Sequence, residues 1–121
     1  MEVSEKVAMV HKYVEAFANS DMNLIREIYA DDAIVEDPVG TEPHVGIDAV
    51  CGFYEPALGM GITLELTGTP RCTGNAVAFP FQVHAGDSRI EIIDVFEFNE
   101  QGKVCSMRAY WGPDNTINSP G

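Results

Sequence analysis

Apolar residues recur along this chain in two rhythms, first at intervals of three and four, later at intervals of two. From Ser4 to about Ala18, Val7, Val10, Val14 and Phe17 make one stripe, which predicts a helix capped by Ser4. Tyr13 lies on that stripe, so its ring belongs in the core and its hydroxyl needs a partner. Asn19-Ser20-Asp21 breaks the pattern and caps a second predicted helix, Met22 to about Tyr29, with Leu24, Ile25, Ile28 and Tyr29 inward. Ala33-Ile34-Val35 reads as a short strand running into Glu36-Asp37-Pro38. Proline disfavours helical backbone at the residue before it, so Asp37 is expected to end a strand at the lip of whatever the sheet encloses. A third helix, Ile47 to about Leu58, turns Val50, Phe53, Tyr54 and Ala57 inward, and Pro56 is expected to bend it or end it early.

The period then changes. Ile62 to Leu66, Ala76 to Val83, Arg89 to Phe98 and Val104 to Trp111 alternate like strands, with turns predicted at His84-Ala85-Gly86-Asp87 and Asn99-Glu100-Gln101-Gly102. Pro80 suggests an edge position or a bulge for its strand. On the last strand Cys105, Met107, Ala109 and Trp111 share one face, Arg108 and Tyr110 the other. Helices first and a meander of strands afterwards imply an α+β fold, a curved mixed or antiparallel sheet wrapped over three helices. No repeat or linker divides the chain, so residues 1–121 are expected to form one domain.

The strand Arg89 to Phe98 carries the one anomaly in the pattern. Ile90, Ile92, Asp94, Phe96 and Phe98 fall on the same face, apolar everywhere except Asp94. An ionised carboxylate there would need partners, or would cost several kcal/mol, on the order of the effective burial penalty of one ion. Retaining the proton is the alternative, because desolvation raises a carboxyl pKa, and a protonated acid can donate a hydrogen bond. The same pattern also fits an aspartate satisfied by a backbone amide or a buried water.

Composition narrows the chemistry. Nineteen acidic against seven basic residues give a formal charge of −12, which disfavours nucleic acid and anionic membranes as partners. No apolar run approaches the roughly 18–20 residues of a membrane span. The start of the chain is already mixed and helix-like, without a charged-then-apolar leader, so an intracellular, cytoplasmic protein is expected. Cys51, Cys72 and Cys105 are odd in number and far apart, which favours reduced thiols. His11, His44 and His84 lack the spacing of a metal site, so no metal is expected. With no phosphate loop and no nucleophile motif, carboxyls and phenols are left to carry any reaction.

Four segments, YADDAIVEDPVG, GFYEPALG, IIDVFEF and MRAYWG, together resemble the bacterial steroid Δ5-3-ketosteroid isomerases, in order and over nearly the whole chain. The resemblance implies a conical fold of the nuclear transport factor (cystatin-like) type, a homodimer, a steroid substrate and no cofactor. It assigns Asp37 as general base, and Tyr13 with a protonated Asp94 as donors to the oxyanion of a dienolate. Ketosteroid isomerase is the established case of a carboxylic acid held neutral for that purpose. Tyr29 and Tyr54 match phenols that extend a hydrogen-bond chain to Tyr13, and Phe81, Met107 and Trp111 match pocket-lining positions. The segment Thr41 to Val45 departs from the family's pattern. Polyketide cyclases and non-catalytic steroid- or lipid-binding proteins share the fold, and by itself Asp37 before Pro38 is also an ordinary turn residue.

Overall fold

Alternation at two puts apolar side chains on one face of each strand, and that face needs a cover; the three helices supply it. The structure is a computed structural model and describes residues 1–118 of the 121, so the last three residues of the expected domain lie outside the described residues. Its helices are α1 (Val3–Ala18), α2 (Met22–Ile28) and α3 (Ile47–Gly59). Its strands are β1 (Tyr29–Glu36), β2 (His44–Val45), β3 (Thr63–Leu66), β4 (Arg71–Thr73), β5 (Ala76–Ala85), β6 (Ser88–Phe98), β7 (Val104–Tyr110) and β8 (Thr116–Asn118). They form one open sheet in the order β2-β1-β7-β6-β5-β3, with β4 also on β5 and β8 also on β6. β1 runs parallel to β7 and every other pair is antiparallel, so the sheet is mixed.

Several local expectations are corrected. The cap of α1 is Glu2, whose backbone N–H donates to Glu5 Oε1 at 2.9 Å, and Ser4 lies within the first turn. Tyr29 is not on the inner face of α2; its backbone is already extended and it opens β1, opposite Val104. Pro56 does not end α3, which continues to Gly59. The bond lost at the proline would have reached the carbonyl of Gly52, which is exposed and open to water.

Pro80 is not on an edge strand either. β5 pairs with β6 along its whole length, Pro80 opposite Ile93. On the other side β3 stops at Phe81 and β4 begins at Ala78, so the proline sits where no ladder asks for its missing N–H. Its carbonyl accepts from Thr67 N–H at 3.1 Å. Gly68 leaves room for the ring, since a Cβ there would lie 2.9 Å from Pro80 Cγ.

The face of β7 also needs revision. A register shift between Glu97 and Phe98 places Val104, Met107 and Ala109 in the core and leaves Cys105 only half-buried. The hairpin between β5 and β6 is tighter than expected. Ala85 pairs with Ser88, and Gly86 turns the chain at φ 61°. β6 itself follows the expected alternation, with Ile92, Asp94, Phe96 and Phe98 all buried. A buried lysine gave no sequence signal: Lys6 of α1 is 4% exposed and donates to the carbonyl of Gly74 at 2.6 Å.

Candidate active site

Between the helices and the inner face of the sheet lies a cavity of about 110 Å³. α1 lines it with Tyr13 and Phe17, and α3 with Phe53, Tyr54 and Ala57. Leu64, Phe81, Val83, Ile92 and Asp94 come from the strands, Ile62 precedes β3, and Asp37 follows β1. The volume is below the roughly 300–1,000 Å³ of ordinary small-molecule sites. Two larger depressions lie elsewhere. One of about 280 Å³ runs over the outer sheet face by Glu91, Ile93 and Tyr110. Another of about 490 Å³ is a polar hollow by Arg26, Asp32 and Lys103. Neither joins a buried acid to the phenols of the inner cavity.

Asp94 is the least expected group in that wall. It is 1% exposed, and among the described residues neither carboxyl oxygen has a partner in hydrogen-bond geometry, although the Tyr13 hydroxyl is near. Its pKa is pushed well above the ordinary carboxylate range, by burial first and then by the negative charge of Asp37; the nearby Tyr13 hydroxyl works the other way. The direction is that of an acid retaining its proton. A protonated carboxyl without a partner, aimed at a cavity, is a donor available to a ligand.

Tyr13 closes a file of three phenols. Its hydroxyl meets that of Tyr54 at 3.0 Å, and Tyr54 meets Tyr29 at 2.5 Å. Burial raises the pKa of all three well above the usual phenol value, with Asp94 the next contribution at Tyr13. Each hydroxyl has one proton. When Tyr13 donates into the cavity, Tyr54 must donate to Tyr13 and Tyr29 to Tyr54. Tyr29 itself stands behind Tyr54 and does not line the cavity.

Asp37 differs in kind. It is half-buried, and its Oδ1 accepts from the Trp111 indole N–H at 2.7 Å. Burial raises its pKa, while the Trp111 hydrogen bond and the neighbouring His44 oppose the rise. The turn after it is held firmly. Val39 N–H donates to Ala109 O at 2.8 Å, Gly40 N–H to Glu36 Oε2 at 2.9 Å, and the Thr41 hydroxyl to Pro38 O at 2.7 Å.

Six of the eight positions singled out from sequence therefore meet around one space: Tyr13, Asp37, Tyr54, Phe81 and Asp94 on its wall, with Tyr29 behind Tyr54. Met107 is fully buried in the core beneath it and does not line it. Trp111 does not line it either and reaches it through Asp37. Sequence reasoning treated Trp111 as an apolar surface and missed the indole donor. The signal was present in its two-residue offset from Ala109, on the inner face beside β1. Phe17, Phe53, Ala57, Ile62, Leu64, Val83 and Ile92 were missed as wall residues because nothing in their pattern separates a cavity wall from a core.

Among the described residues no three His, Cys, Asp or Glu side chains are grouped to hold a metal ion, and no helix is long and apolar enough to cross a membrane. The sequence pattern of the SnoaL-like domain matches residues 10–107. A steroid Δ-isomerase of Nocardioides simplex is 37% identical over 121 residues, covering 97% of this chain and 98% of that one. The epoxide hydrolase LasB of Streptomyces lasalocidi is 31% identical over 120 residues, 91% of this chain but only 42% of that protein. Among solved structures, the epoxide hydrolase/cyclase-like enzyme SalBIII, of pyran ring formation in the polyether salinomycin, superposes with a TM-score of 0.86. That match is 25% identical and covers 95% of this chain and 96% of SalBIII.

Proposed function

The chain belongs to the SnoaL-like domain family, and we propose that within it this protein is a steroid Δ-isomerase, moving the C5–C6 double bond of a 3-oxo-Δ5-steroid to C4–C5. Asp37 takes a proton from C4, the electron pair passes into a dienolate with its charge on the C3 oxygen, and the same carboxyl returns the proton to C6. One carboxyl can serve both carbons because it sits at a strand end on the cavity wall, within reach of a flat ligand on that side. Tyr13 and neutral Asp94 donate to the oxygen as its charge develops. In a dry site each such donor is worth about 3 kcal/mol. Atoms and charge balance without a cofactor: one proton moves within the substrate and the enzyme returns to its starting state.

The observation that carries this reading is the pairing of unlike acids in one apolar cavity. Asp94 is buried, without a hydrogen-bond partner among the described residues, and its pKa is raised strongly. Burial raises Asp37 too, but less, because the Trp111 donor and the nearby His44 oppose it. Environments that push two carboxyls apart in this way divide them into a donor and a base. The Nocardioides relative supports the steroid assignment. A tetracyclic ligand needs more than 110 Å³, so the cavity has to widen on binding, on the side of Ala57, Ile62 and Val83 and away from the braced Phe53 ring.

The names of LasB and SalBIII favour a second reading, epoxide opening with ring closure. There the neutral acid would donate to the oxirane oxygen while Asp37 takes a proton from the attacking hydroxyl. One experiment separates the two. The protein is mixed with a β,γ-unsaturated 3-ketosteroid, and conjugated-enone absorbance is followed in parallel with consumption of an epoxy alcohol. Enone formation without epoxide loss is the expected result; the reverse would assign the cyclase reaction.

A further inference from the structure

Beyond its electrostatic effect on Asp37, His44 has no assigned role, and it lies in the segment Thr41 to Val45 where the sequence departs from the family's pattern. It pairs directly with Val35 across the β1–β2 ladder. Directly opposed residues of an antiparallel pair share a face. The other pair, Ile34 and Val45, points outward at 44% and 65% exposure, while Val35 is fully buried. His44 is therefore on the inner face with Val35, and Asp37 follows Val35 by two residues. The backbone on either side is fixed, with Gly46 N–H donating to Ala33 O at 2.8 Å and Thr41 bound to Pro38.

The imidazole is half-buried and makes no hydrogen bond among the described residues; what holds it is a ring. Its centroid lies 4.5 Å from that of Phe53, with the planes tilted by 33°. Phe53 lines the cavity and meets Tyr54 edge-on at 5.1 Å and 73°, and Tyr54 bonds Tyr13. His44 thus starts an aromatic file that runs from the β2 edge through Phe53 and Tyr54 to Tyr13. Phe53 is only half-buried, and the stack on His44 braces it on the side of β2.

We propose that His44 is a positioning residue of the reaction, its imidazole holding the Phe53 ring as a fixed wall of the cavity that Asp37 also lines. It touches no reacting atom; it limits how far a flat ligand can tilt away from the base. Misplacement by about 1 Å can cost on the order of 10²-fold in rate, so loosening one wall should cost less, about tenfold.

The inference rests on the isomerase reading, and the test separates the two. Steady-state isomerisation is measured on the pH plateau of each protein, where Asp37 is ionised whatever its neighbour, for the parent, His44→Ala, His44→Phe, Phe53→Ala and the His44→Ala/Phe53→Ala pair. A parent with no isomerase activity removes the functional reading. With an active parent, His44→Ala should lower kcat by about tenfold and leave KM within about twofold. His44→Phe, which rebuilds the stack without the nitrogen atoms, should return kcat to within about twofold of the parent. In the Phe53→Ala background the loss at position 44 should disappear, because the residue acts through Phe53. An unaffected His44→Ala, an equally impaired His44→Phe, or a loss that persists without Phe53 would each overturn the proposal. Should His44→Ala fold poorly, His44→Gln, which keeps a polar side chain without a ring, takes its place in the same comparison.

Discussion

If Asp94 keeps its proton when folded, the stability of an asparagine variant relative to the parent should rise as the pH goes from acid to neutral. In the unfolded chain an aspartic acid titrates near pH 3.9. In the folded chain its pKa is raised, by burial and by Asp37. Above about pH 4 the unfolded state therefore releases a proton that the folded state retains. A raised acid of this kind contributes stability that is complete below its unfolded pKa and is lost as pH rises towards its folded one. The loss is about 1.4 kcal/mol per pH unit for one full proton. Between pH 5 and pH 7 that amounts to about 3 kcal/mol, provided the proton is held across the interval. Asp94→Asn has no proton to lose. Whatever the amide costs or gains by its own burial is the same at both pH values and cancels in the difference. Urea unfolding of parent and Asp94→Asn at pH 5 and pH 7 measures it directly. The stability of the variant relative to the parent should rise by about 3 kcal/mol, on the order of 10 °C in Tm for a chain of this size. A relative stability unchanged between the two pH values would mean that the folded carboxyl ionises like the unfolded one, and the argument for a neutral donor would fail.

Asp37→Asn should lower kcat by about 10²–10⁴-fold, the usual contribution of a positioned base, with steroid affinity within a few-fold of the parent; turnover within threefold would remove Asp37 from that role. Trp111→Phe removes the donor that holds the Asp37 pKa down, so the acid limb of the kcat profile should move to higher pH, and an unmoved limb would show that the indole only packs there. A planar phenolic steroid mimics the dienolate, so Tyr13→Phe should weaken its binding more than that of a steroid without the phenol; equal losses in calorimetry would contradict donation by Tyr13. Ile93 and Tyr110 stand 49% and 46% exposed on the outer sheet face, beside a groove of about 280 Å³. That face should be covered in a homodimer at micromolar concentration, and sedimentation as a monomer would count against it.

The long strands and the acid among them were legible because alternation is a local signal. Ile92, Asp94, Phe96 and Phe98 declare one face without knowledge of any partner. What was not legible depends on who sits opposite. Pro80 reads as an edge residue from sequence, yet it occupies a gap between two strands that both pair with its own. Cys105 reads as inward until a register shift turns it aside. β2 has two residues and no pattern at all, so His44 emerged only when β1 was placed beside it. For the site, alternation already set Asp94 on an apolar face and Pro38 set Asp37 at a strand end, so the contrast between the two carboxyls was legible. The indole donor on Asp37 was not, because it depends on how Trp111 packs after β7.

The contact between Gly68 and Pro80 has a bearing on how this sequence can drift. A methyl group at position 68 would stand 2.9 Å from the proline ring, whose Cγ is fixed to a rigid backbone and has little room to yield. Any side chain at 68 is therefore disfavoured while the proline is present, yet becomes tolerable once position 80 has changed. The two sites form an epistatic pair with a preferred order of mutation, position 80 before position 68. Homologues with a side chain at 68 are expected to have lost the proline first, and ancestral reconstruction along such a lineage would recover that sequence of events.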